Sequence, residues 1–98
     1  MTVMDDAKQR VAIAEACGYD FQWRAMNPYA YLSFDPLNDL NAMHEAEKAL
    51  TTEADTNRYC YWLNKVAPRI FFWRYTARQR AEAFLRTIGK WEDDSDGE

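Results

Sequence analysis

The sequence predicts an α+β fold: one small domain whose three-stranded sheet is sandwiched between helices, an α/β/α sandwich. The expected order is helix, strand, strand, helix, helix, strand, helix. Three observations predict it. The run Ile70-Phe71-Phe72-Trp73-Arg74-Tyr75 puts bulky groups on both pleat faces, as a strand covered on both sides would. Two earlier runs, 21–26 and 29–34, alternate in character, are rich in aromatics and are separated by Asn27-Pro28, as in a hairpin. The remaining stretches repeat apolar residues at helical spacing behind capping residues.

In chain order, Thr2 is a candidate N-cap for a helix reaching about Cys17, with Met4, Ala7, Val11 and Ala14 as its stripe and Gly18 as its stop. The hairpin follows. Asp35 then suits a cap with Pro36 at the first helical position. Leu37, Leu40, Met43, Ala46 and Leu50 form the inward face, and Asn38, Asn41, Glu45 and Lys48 the wet one. Thr52 with Asp55 repeats the capping pattern ahead of Tyr59, Trp62, Leu63 and Val66, and Pro68 closes that helix. After the strand at 70–75, Thr76 and Gln79 form a capping box for a helix carrying Ala81, Phe84, Leu85 and Ile88, ended by Gly89. Residues 1–91 are expected to form the domain. Residues 92–98, five of them acidic and none apolar, are expected to form a disordered tail.

Four Trp, six Tyr and five Phe are more aromatic surface than a few short elements usually hide, so part of it is expected to line a contact patch. No apolar run approaches a membrane span, and no export signal follows Met1, so a cytoplasmic protein without membrane contact is expected. Cys17 and Cys60 lack metal-ligand spacing and read as buried free thiols. The net charge of −4 is segregated. Residues 1–57 hold four basic and ten acidic residues, residues 58–91 eight basic and one acidic, and residues 92–98 five acidic. Such a division marks either a basic binding face or two halves that attract each other on folding.

No phosphate-binding glycine loop is present, the three glycines being Gly18, Gly89 and Gly97. His44 stands beside Glu45 and one turn before Glu47 without a third ligand candidate, and Cys60 without a histidine partner. Both read as structural side chains. No nucleophile, base and oxyanion site assembles, so neither enzymatic activity nor a cofactor is expected.

The segments Ala14-Glu15-Ala16-Cys17-Gly18, Leu37-Asn38-Asp39-Leu40-Asn41-Ala42-Met43-His44-Glu45-Ala46 and Thr76 through Trp91 resemble the phage ABA sandwich domain family, small proteins of tailed phages and prophages. The resemblance implies an α/β/α sandwich and a phage origin, and carries no activity to particular residues. Residues 52–75 depart from the family pattern, being more aromatic and more basic. The functional expectation is a phage-encoded protein-binding module acting in the bacterial host cytoplasm on a host or phage protein, such as an inhibitor of a CRISPR defence complex. The alternatives are a nucleic-acid-binding accessory protein using residues 58–90, and a self-associating virion or assembly component. The partner-binding candidates are Arg58, Arg69, Trp73, Arg74 and Arg78, of which Arg69, Arg74 and Arg78 are expected to converge where a strand would meet the anion-favouring start of the last helix. Arg beside aromatic groups suits both protein hot spots and nucleic acid.

Overall fold

The computed structural model describes residues 4–68 and 74–92. Among them it holds six helices: α1 (Asp6–Ala16), α2 (Phe21–Met26), α3 (Pro28–Leu32), α4 (Leu40–Glu47), α5 (Glu53–Val66) and α6 (Ala77–Thr87). The described residues contain no strand. The expected three-stranded sheet, and with it the α/β/α sandwich, is therefore overturned.

The correction centres on residues 21–34, where helices α2 and α3 replace the hairpin. Asp20 accepts the Trp23 N–H at 2.9 Å and so starts α2, while Pro28 opens α3 with its φ preset and no N–H to satisfy. Asn27, with φ −131° and ψ 58°, breaks the path between them, and its Nδ2 donates to the Trp23 carbonyl at 2.9 Å. A hairpin needs a third strand to lie against. The strand expected at 70–75 lies mostly outside the described residues; Arg74 sits in a short 3₁₀ turn and Tyr75 in irregular chain.

Other boundaries shift by local chemistry. Asp5 caps α1, accepting from the Ala7 N–H at 2.9 Å, and the expected cap Thr2 lies outside the described residues. Asp35 and Pro36 do not start a helix. Residues 36–38 form a turn, the Asp35 carboxylate holds Asn38 Nδ2, and α4 begins three residues later than Leu37 under Asp39, which accepts from Asn41 N–H at 2.9 Å. The remaining signals hold. Thr52 accepts from Asp55 N–H at 3.0 Å, the Thr76–Gln79 capping box closes in both directions at 2.9 and 3.1 Å, and Gly18 and Gly89 take φ of 90° and 76°.

α6 is the axis of the fold: α1, α4 and α5 all pack on it. Its Ala81, Ala83, Phe84 and Leu85 are completely buried and meet Ile13, Met43, Ala46 and Leu63 from the neighbouring helices. Alanine on α6 lets the other helices approach closely, while Phe84 supplies the volume that fills the centre.

A polar network ties the same helices. Arg80 on α6 is 2 % exposed, and its Nη1 reaches Glu47 Oε2 on α4 at 3.1 Å. Tyr59 on α5 donates its hydroxyl proton to the same oxygen, and His44 Nδ1 meets Glu47 Oε1 at 3.1 Å. A buried guanidinium needs such a partner, because desolvating an unpaired charge costs several kcal/mol. Burial, reinforced by the Glu47 carboxylate, holds the Tyr59 phenol well above its ordinary pKa.

Candidate protein-binding surface

Three arginines of the basic segment from which a binding face was expected, Arg78, Arg80 and Arg86, are paired with the chain's own carboxylates. Arg78 grips Asp6 on α1 through two parallel bonds, Nη1 to Oδ1 at 2.9 Å and Nη2 to Oδ2 at 2.8 Å. That hydrogen-bonded pairing lowers the Asp6 pKa and raises that of Arg78. Arg80 is buried on Glu47, and Arg86 pairs with Glu82 at 2.8 Å between the rings of Trp62 and Trp91, 5.1 and 5.2 Å away. The charge segregation thus includes contacts in which the acidic first half and basic second half attract each other, through Arg78–Asp6 and Arg80–Glu47. Of the partner-binding candidates, Arg58 is exposed on α5 and Arg74 is exposed before α6. Arg69 and Trp73 lie outside the described residues.

The exposed apolar surface is elsewhere, on α2 and α3. Phe21 is 77 % exposed, Met26 74 %, Tyr29 84 % and Leu32 69 %. Neither helix contributes a single buried residue. Large apolar side chains this open, four within twelve residues, are the kind of patch that contacts other molecules. Between 21 and 34 the sole charged residue is Arg24, and it is turned inward: Nη1 donates to the Tyr19 carbonyl at 2.8 Å and lies 3.8 Å from Glu15. The exposed side chains of the stretch are left without charge, Gln22, Asn27 and Ser33 being its polar members.

Two guanidinium struts hold this pair of short helices on the body. Arg10 of α1 donates through Nε to the Phe34 carbonyl at 2.7 Å and through Nη2 to the Tyr31 carbonyl, with its plane 4.3 Å from the Tyr31 ring centre. Arg24 approaches the same ring at 5.6 Å. Tyr19 stacks on Trp23 at 4.2 Å and meets Phe34 edge-on at 5.6 Å. Tyr19, Trp23, Tyr31 and Phe34 therefore anchor this stretch, while Phe21 and Tyr29 face out.

A groove of about 360 Å³ runs beside this patch, between α2–α3 and the start of α4. Tyr19, Trp23 and Phe34 supply its aromatic wall, and Asp39, Asn41 and Glu45 its polar one. Glu45 also holds Lys48 at 2.9 Å, one exposed side chain to another. Among the described residues no group of three His, Cys, Asp or Glu side chains is arranged to hold a metal ion, and no helix is long and apolar enough to cross a membrane.

Composition signalled the patch, through the aromatic excess, but not its place. Phe21, Met26, Tyr29 and Leu32 escaped the sequence reading because alternation was taken for a pleat. Asp20 at N-cap spacing and Pro28 at a helix start were the local signals that pointed the other way. Cys60, expected to be buried, is exposed, whereas Cys17 is half-buried. Burial, with the nearby Glu45 charge, pushes the Cys17 thiol pKa up.

No known protein family, curated protein or solved structure matches this chain. The sandwich fold implied by the resemblance to phage ABA sandwich domains is also not the fold observed, so the host-inhibitor reading, which rested on that resemblance together with size and charge, gains no support from the fold or from any match.

Proposed function

We propose that this chain is a protein-binding module that docks its partner on the outward face of α2 and α3. The observation that carries this reading is the exposure of Phe21, Met26, Tyr29 and Leu32 on two helices with no fully buried residue. Aromatic and Met side chains are what interface centres are enriched in, and here no charge on the patch has to be desolvated when a partner covers it. Two helices pinned by Arg10 and Arg24 also present their side chains in a preorganised arrangement, which lowers the entropy lost on association. The nucleic-acid alternative draws less support, because Arg78 and Arg80 of the basic segment are paired with Asp6 and Glu47.

The test is affinity purification from nuclease-treated cell extract, comparing the parent with the triple variant Phe21→Ser, Tyr29→Ser, Leu32→Ser. The parent is expected to retain a stoichiometric protein that the variant loses while unfolding at the same temperature. Recovery of nucleic acid in place of protein, or undiminished capture by the triple variant, refutes the reading.

A further inference from the structure

We infer that the groove beside the α2–α3 patch receives a cationic side chain, an arginine or lysine, from a basic, apolar segment of the partner protein. This rests on the proposed docking face and specifies the chemistry of what docks there. Charge complementarity carries it. The groove has carboxylates on one wall, Asp39 and Glu45, and three aromatic rings on the other, Tyr19, Trp23 and Phe34, and no Lys or Arg lines it among the described residues.

Each wall suits a guanidinium for a separate reason. A planar cation is attracted to the face of an aromatic ring, and more strongly where water is excluded. Carboxylates accept its N–H groups with charge assistance. Asp39 uses Oδ1 to cap α4 through Asn41 N–H, and no hydrogen bond to its Oδ2 is found among the described residues. Glu45 pairs with the exposed Lys48, an ion pair of a kind that yields readily to a better-placed cation. The chain already treats its own guanidinium groups in this manner nearby, where Arg10 and Arg24 both lie against Tyr31. The volume of about 360 Å³ falls within the range of roughly 300–1,000 Å³ that holds a ligand group. The exposed apolar row from Phe21 to Leu32 would take the flanking apolar residues of the same segment.

The probe is a capped peptide with one arginine between two leucines, and its citrulline counterpart, which keeps the shape and lacks the charge. Binding is read from the Trp23 indole N–H signal by NMR, in the parent and in the double variant Asp39→Asn, Glu45→Gln. Asn keeps a capping oxygen at position 39, so α4 is retained. The arginine peptide should shift the Trp23 signal and bind about tenfold more tightly than the citrulline peptide, with an affinity that falls as salt rises. The double variant should reduce it to the citrulline level. Equal binding of the two peptides, a response confined to other parts of the chain, or an unaffected double variant overturns the inference. So does salt-sensitive self-association abolished by the double variant, which would make a second copy the occupant. If the triple Ser variant loses the captured partner and the double variant keeps it, the docking face stands and the groove's role fails.

Discussion

The α1–α4–α5–α6 body and the α2–α3 pair are built from similar residue types to opposite ends. In the body, apolar side chains converge on Phe84, and the charges that cannot be avoided are paired across helices, Arg80 with Glu47 and Arg78 with Asp6. In the α2–α3 pair, helices of six and five residues are too short to stand alone. They are fixed by caps, by the Tyr19–Trp23 stack and by arginines reaching backbone carbonyls. Their apolar side chains are left outside. The difference shows how a small chain can keep stability and contact in separate places: the body can be altered only at a cost to folding, and the pair can be altered at a cost to binding.

The largest expected effect tests the body directly. Phe84→Ala should destabilise the chain by about 3–5 kcal/mol in chemical denaturation, because it empties the centre of a close-packed site. Tyr29→Ala, an equally large truncation on the α2–α3 face, should stay within about 0.5 kcal/mol. Equal losses at the two sites would erase the distinction.

Next in size is Glu47→Ala, which removes the carboxylate that Arg80 Nη1 and the Tyr59 hydroxyl share. A loss of about 2–3 kcal/mol is expected, below that of a fully enclosed pair because Glu47 retains some water contact. The network also has a pH signature. The folded Tyr59 pKa lies above its unfolded value of 10.0, so its contribution is intact below about pH 10 and is lost as pH rises beyond it. Tyr59→Phe should flatten that alkaline decline, and an unchanged decline would remove Tyr59 from the network.

A smaller effect belongs to Arg78–Asp6. The folded Asp6 pKa lies below its unfolded value of 3.8, so the pair's contribution is present above that pH and disappears as pH falls through the folded value. Both side chains are half exposed and screened, and Arg78→Ala should therefore cost at most about 1 kcal/mol near neutrality and less in high salt. A loss of several kcal/mol would mean that the pair, and not the apolar centre, holds α1 to α6. The smallest effect is kinetic. Intact-protein mass spectrometry under limiting alkylation should find Cys60 modified before Cys17, because Cys60 is exposed and burial disfavours the Cys17 thiolate.

The amino-acid sequence by itself determined whatever is decided within one or two turns of chain. The capping box at Thr76, the cap at Thr52, the glycine stops at 18 and 89, and the apolar face of α6 with Phe84 in it are all legible, since a cap bond joins residues two or three apart and a helix face repeats every 3.6 residues. The candidate surface was legible only as an excess of aromatic residues. Tertiary structure decided the rest. Alternation in residues 21–34 satisfies a pleat and two short helices alike, and what separates them is whether a distant strand completes a ladder or Asp20 and Pro28 close local turns. The roles of the arginines were likewise unreadable, because Arg78 and Arg80 find Asp6 and Glu47 at separations of 72 and 33 residues. Which aromatics are covered follows from the packing of α1, α4 and α5 on α6, which leaves Phe21, Met26, Tyr29 and Leu32 exposed.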